Sequence, residues 1–233
     1  MQDWLNGSGW GHRNPRVDRV IVVASDNASG ASLLPFVGGG FAALGAASTA
    51  ATPELSAMPF DARRNGMVLG AGAVALVLER ASSAAESIPR SPVERSKCCL
   101  IATQISNSAF HGSRLDPEHI AHELVRFLAD LNSEFGLTKE DIAKHGVYLG
   151  HETSTTGGHN RRNSCAAVEV IALRNVFGSE LLAELRVGGT KGATGHAMGV
   201  AFEEVIAVEM LRTRTLPFVC NFQQHDPLLQ VSV

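Results

Sequence analysis

The 233 residues suffice for one large or two small domains around a sizeable buried core. A content of 45% hydrophobic and 18% charged residues fits a globular chain with a large apolar interior, and a formal charge of −3 argues against nucleic acid as a partner. No apolar run reaches the roughly 18 residues of a membrane span, and the first residues lack the charged start and apolar middle of a signal peptide. Cys98, Cys99, Cys165 and Cys220 show no CxxC spacing and make no disulfide scaffold, which speaks against a zinc site and for a reducing cytoplasm.

In chain order, Val20–Ala24, Val74–Leu78, Leu100–Ala102, Val147–Leu149 and, more weakly, Leu185–Val187 are short apolar runs. Uninterrupted runs of this kind predict strands covered on both faces. Cys98 and Cys99 would head the third strand and face opposite sides of its sheet. Between the strands lie helical patterns. Asp116 and Pro117 read as N-cap and first helical residue, followed by Ile120, Leu124, Phe127, Leu128 and Leu131 at helical spacing up to Gly136. Ala166, Val170, Leu173 and Phe177 predict a second helix ended by Gly178. A third is expected from Met198, burying Ala201, Val205, Val208 and Leu211 and stopping before Pro217. Strands alternating with helices indicate an α/β layered fold. The serine- and charge-rich segment 81–97, with two prolines, reads as a linker.

Two turns carry candidate chemistry. In Gly189-Thr190-Lys191-Gly192-Ala193-Thr194-Gly195-His196-Ala197-Met198-Gly199 a lysine and a histidine stand five residues apart among small residues. The stretch follows a predicted strand and precedes a predicted helix, the place where α/β sheets bind ligands, and His196 would sit at the helix entrance. Gly150-His151-Glu152-Thr153-Ser154-Thr155-Thr156 repeats the arrangement after Val147–Leu149. Two histidines at the ends of neighbouring strands could aim two ring N–H groups at one oxygen, an oxyanion-hole geometry for acyl or enolate chemistry.

The segment from Pro59 to Glu79, PFDARRNGMVLGAGAVALVLE, resembles the PFDxxRDGFVxGEGAGVLVLE signature of β-ketoacyl synthases. His151 in GHETST is similar to the histidine of that family's HGTGT motif, and Lys191 with His196 to its KxxxGH motif. Val168–Gly178 resembles the IEAAALRAVFG helix, and Leu216-Pro217 with Asn221 and Phe222 the LPPTLNF stretch. The motifs run in the family's order from about Asp18 to Pro227.

The resemblance is to the ketosynthase domain of type I polyketide and fatty-acid synthases. It implies a thiolase-like layered α-β-α sandwich, here incomplete: a remnant of the N-terminal half over 1–80, a linker over 81–97, and the C-terminal half over 98–233, cut before its last strands. It also implies decarboxylative Claisen condensation of acyl and malonyl thioesters on acyl carrier protein. His151 and His196 would be catalytic, with Lys191 supplying positive charge beside His196. Thr153, Thr155, Thr190, Gly195 and His111 would contact substrate. No cofactor is expected beyond the phosphopantetheine arm of the carrier protein. Expected partners are that carrier protein, the remaining ketosynthase segments or a complementing chain, and a second copy in a homodimer, with no nucleic acid, metal or membrane span.

The chain also departs from the pattern. The family's nucleophilic cysteine would lie upstream of Val20, and Met1–Arg19 contains none. Cys165 in Ser164-Cys165-Ala166-Ala167 mimics the nucleophile turn out of place and reads as a small buried thiol. Asn65 and Ala71 replace an Asp and a Glu, and Glu152 and Ser154 stand where the histidine motif has glycines, so that Glu152 would crowd the pocket or change its polarity. Val205 holds the place of the glutamate that usually follows KxxxGH, which leaves the partner of Lys191 open. The expected result is a chain inactive alone and poorly soluble; a non-catalytic scaffold is the alternative.

Overall fold

A computed structural model of the chain describes residues 19–79, 98–111, 114–200 and 202–233. The expected linker at 81–97 and the expected core position Ala201 lie outside them. The chain gathers into two compact units, each interleaved in sequence: one takes the described residues up to Ser25, those between Ala73 and Ile105, and those between Val200 and Leu216, and the other takes the rest.

In the smaller unit, strand β1 (Arg19–Asp26) pairs with β2 (Gly72–Glu79) in a two-stranded sheet. Both match predicted runs. Their predicted burial on two faces fails, however, because β1 alternates between exposed and half-buried residues, with Ile21 65% and Val23 67% exposed, and Val77 of β2 58% exposed. One apolar face of this sheet is therefore open to solvent among the described residues. Leu100–Ala102 forms no strand, so Cys98 and Cys99 head none; Leu100 and Ile101 are exposed in an irregular segment. No strand among the described residues pairs with this segment.

The larger unit opens with α1 (Leu34–Ala43), which buries none of its residues and carries Gly38, Gly39 and Gly40 in its middle. Helix α2 (Pro117–Phe135) starts where expected. The Asp116 side chain accepts hydrogen bonds from the N–H groups of Glu118 and His119, Pro117 occupies the first turn, and Gly136 closes the helix at φ 68°. A capping box between Thr138 and Asp141 starts the short α3 (Lys139–His145). Strand β3 (Val147–Leu149) follows. Helix α4 (Cys165–Glu184) then runs through the middle of this unit, with α2 and α3 packed on it. It buries Ala166, Ala167, Val168, Val170, Ala172, Leu173, Val176 and Phe177, and its course breaks at Gly178 (φ 72°), the predicted stop, before resuming. Strand β4 (Arg186–Gly188) pairs in parallel with β3.

One helical turn, α5 (Lys191–Thr194), succeeds β4, and α6 (Phe202–Thr213), in the smaller unit, begins four residues later than expected. Val205 and Val208 are half-buried on α6, but Leu211, expected in the core, is 65% exposed. It lies in the last turn, where helix ends meet solvent.

The signature from Pro59 onward does structural work. Asp61, fully buried, accepts from Arg63 Nε and Nη2 at 2.8 and 2.9 Å and from the N–H groups of Arg63, Gln223 and Gln224. Burial alone would raise its pKa. The Arg63 side chain and these N–H groups outweigh burial and hold the carboxyl well below its usual range. Arg64 donates to Asp226 Oδ2 at 2.5 Å, to the Asp61 carbonyl and to Ser164 Oγ, and Arg161 donates to the same Asp226 oxygen at 2.7 Å. The segment 221–226 is thereby tied to residues 61–64 and to the start of α4.

Candidate active site

The two histidines reach one place by two backbone routes. Along the first, Val147, Tyr148 and Leu149 face Arg186, Val187 and Gly188, and the Gly150 N–H continues the ladder by donating to the Gly188 carbonyl at 2.9 Å. Parallel strands paired this far end together, so His151 and Lys191 both emerge at the carboxyl ends of adjacent strands, where open α/β sheets place ligands.

Along the second route, the His196 N–H donates to the Val68 carbonyl at 2.7 Å, and its own carbonyl accepts from the Gly70 N–H at 3.0 Å. Leu69 and His196 thus form a parallel bridge. This corrects the expectation of a histidine at a helix entrance: its backbone is extended, clamped to the signature segment, and six residues before α6. Gly195 turns the chain into this bridge at φ 66°, and a Cβ there would lie 3.0 Å from the Gly70 backbone; a Cβ on Gly70 would lie 2.3 Å from the Thr194 carbonyl oxygen. The glycines at 70 and 195 therefore serve the close approach of two backbones.

The result is an imidazole pair. The rings of His151 and His196 stand 5.2 Å apart between centroids, edge to face at 88°. His151 is exposed and His196 half-buried, so the pair lies at the surface end of the sheet within reach of a ligand. Lys191 opens α5 five residues before His196 and is only 6% exposed.

Glu169, on the first turns of α4 and 5% exposed, links both routes. Its Oε1 accepts from Cys165 Sγ at 3.1 Å, and its carboxyl feels the Tyr148 hydroxyl, the His151 backbone N–H and the charge of Lys191. The glycine at 150 permits this approach, since a Cβ there would stand 2.2 Å from Glu169 Oε2. Burial and then the charge of Glu152 push the Glu169 carboxyl up to about 8, against the opposing pull of Cys165, Lys191 and the His151 N–H.

Glu152 is fully buried while its neighbour His151 is exposed, so the glutamate turns inward and does not crowd the imidazoles. Burial pushes its carboxyl up to about 7; the Arg64 charge and the N–H groups of Ser154, Phe60 and Ala166 pull the other way. Cys165 is 8% exposed, and burial, with the charges of Glu169 and Glu152, raises its thiol well above the usual range. Such a thiol stays protonated at neutral pH and is a poor nucleophile.

Among the other expected contact residues, Thr153 and Thr155 lie in the histidine turn, their hydroxyls 3.4 Å apart, and Thr155 Oγ1 accepts from the Cys165 N–H, tying the turn to α4. Thr190 is buried at the start of α5. His111 is exposed in an irregular segment. Among the described residues, no group of three His, Cys, Asp or Glu could hold a metal ion, and no helix is long and apolar enough to cross a membrane.

Known proteins resemble this chain in sequence and in fold. Residues 16–84 match the family model described as Beta-ketoacyl synthase, N-terminal domain. A 3-oxoacyl-[acyl-carrier-protein] synthase 2 of Coxiella burnetii (strain RSA 493 / Nine Mile phase I) is 32% identical over 191 residues, covering 81% of this chain and 42% of the relative. Among solved structures, the ishigamide ketosynthase/chain length factor superposes with a TM-score of 0.72 at 22% identity, over 93% of this chain and 46% of that one. A type II polyketide synthase acyl-carrier protein in complex with its ketosynthase, bound to the hexaketide, gives 0.69 at 22% identity, over 93% and 49%. The chain belongs to the β-ketoacyl synthase family, has the thiolase-like α/β fold of its ketosynthases, and spans less than half the length of the curated relatives it matches.

Proposed function

We propose that this chain carries the decarboxylation half of a ketosynthase centre. The edge-to-face pair of His151 and His196, 5.2 Å apart, is the observation that carries the reading. A malonyl thioester, delivered on the phosphopantetheine arm of an acyl carrier protein, would set its thioester carbonyl oxygen against the two ring N–H groups. As the carboxylate leaves as CO2, the electron pair of the breaking C–C bond moves into the thioester and places negative charge on that oxygen. Two donors aimed at a developing oxyanion lower the barrier by several kcal/mol in a preorganised site. Lys191 adds positive charge beside His196. Thr153, Thr155, Thr190, Gly195 and His111 are the proposed substrate contacts.

Condensation needs a nucleophilic thiolate, and Cys165, the thiol bonded to Glu169, is buried and protonated. The chain by itself would therefore release CO2 from the malonyl thioester and, once the enolate takes a proton from water, leave an acetyl thioester. The test is release of labelled CO2 from malonyl-carrier protein by the full chain. Loss of release in His196→Ala is expected; release undiminished in that variant, or none from folded wild-type chain, would refute the proposal.

A second reading is favoured by the open face of the β1–β2 sheet, where Ile21, Val23 and Val77 are exposed. An apolar sheet face of this kind fits a chain that pairs with complementary ketosynthase segments or a second copy. Size-exclusion chromatography with light scattering separates a monomer from either assembly.

A further inference from the structure

The turn that carries His151 contains a backbone conformation that L-residues rarely take. Ser154 has φ 64° and is 1% exposed. In the left-handed region a Cβ crowds the following carbonyl, so glycine is the usual occupant, and glycine is what the resembled histidine motif has there. A serine needs outside support to stay.

The support is two residues away. Glu152, with none of its surface exposed, places Oε1 2.9 Å from the Ser154 nitrogen and accepts its N–H. The hydrogen bond closes a small ring over the strained residue and satisfies a buried donor. On the other side, the Ser154 carbonyl accepts from the Gly66 N–H at 2.8 Å, so the residue is held from both ends. The brace has its own anchor: the Arg64 charge acts on Glu152, and Arg64 is fixed by Asp226, Ser164 Oγ and the Asp61 carbonyl. His151 is exposed where Glu152 is buried, and its ring pairs with that of His196.

We propose that Glu152 is a positioning residue for His151: its carboxyl holds Ser154 in the left-handed conformation and so fixes the turn that projects the His151 ring against His196. At the two positions where the family pattern has glycines, a buried acceptor and its braced serine take over what glycine's freedom would supply. The inference stands on ring geometry and does not depend on the decarboxylation reading.

The experiment uses the isotope-labelled full chain and the nuclear Overhauser cross-peak between the His151 and His196 rings. Wild type and Glu152→Gln, which keeps an oxygen acceptor, should both show it. In Glu152→Ala the cross-peak should disappear and the His151 ring resonances shift, with those of His145 on α3 unchanged. Adding Ser154→Gly should restore the cross-peak, because glycine adopts the turn unaided. An undiminished cross-peak in Glu152→Ala would overturn the proposal, as would its absence in wild type or in Glu152→Gln. If Glu152→Ala does not fold, the double variant decides: folded with the cross-peak supports the brace, and unfolded or lacking the cross-peak overturns it. Labelled CO2 release is read on the same samples; no release alongside an intact cross-peak counts against the proposed function and leaves the brace standing.

Discussion

Replacing Glu169 by glutamine tests the electrostatics at the centre of the site. In the folded chain burial first, and the charge of Glu152 second, lift this carboxyl from its ordinary 4.5 to about 8. Between those values the folded protein keeps a proton that the unfolded chain has released. Stability from this group is therefore fully present below about pH 4.5 and is lost as pH rises toward 8, at about 1.4 kcal/mol per pH unit for each retained proton. Glutamine keeps the shape and does not titrate. From pH 5 to pH 7 wild type should lose up to about 3 kcal/mol relative to Glu169→Gln, two units at that slope. Urea denaturation followed by circular dichroism at pH 5, 6 and 7 measures the difference. Parallel stability curves for the two proteins would refute the reasoning, since they would mean that Glu169 is ionised in the fold at no cost.

Three further outcomes follow from other parts of the structure. Asp226→Ala leaves the Arg64 guanidinium, whose side chain is fully buried, without its carboxylate, and should cost about 3–5 kcal/mol in the same denaturation assay; less than about 1 kcal/mol would show that Arg64 finds water. Gly70→Ala puts a Cβ 2.3 Å from the Thr194 carbonyl oxygen and should cost about 1–3 kcal/mol while speeding exchange of the His196 amide, whereas Gly39→Ala, with nothing within 4 Å, should not. Equal effects of the two changes would contradict the close-packed bridge. Ile21→Thr with Val77→Thr shortens the exposed apolar face and should raise soluble yield; unchanged aggregation would locate the problem elsewhere.

The sequence exposed those parts of the fold where local chemistry decides. Asp116-Pro117 and Gly136 mark both ends of α2 because capping is local, and the Gly178 break comes from one residue's freedom. Thr138 and Asp141 announced α3 as a capping box, a signal passed over beside the longer helices. Helix α1 was not legible: three consecutive glycines weigh against a helix, and it buries no side chain that would mark a face. Leu100–Ala102 failed for the reverse reason, since strand propensity without a pairing partner forms nothing. In the site, strand ends and motif spacing brought out His151, Lys191 and His196. Glu169 and Glu152 were hidden because their roles come from burial: one looked like part of a helix motif, the other like an intrusion into the pocket. Only the packing of α4 and the placement of Arg64 make them visible.

Non-additivity of the two histidines tests most directly whether they act as one centre. Residues acting on the same oxygen should fail as a unit. Labelled CO2 release from malonyl-carrier protein should fall in His151→Ala and in His196→Ala, and the double variant should be no slower than the slower single one. Losses that multiply in the double variant, or a single variant that keeps the wild-type rate, would mean that the two imidazoles, though neighbours, do not share a reaction.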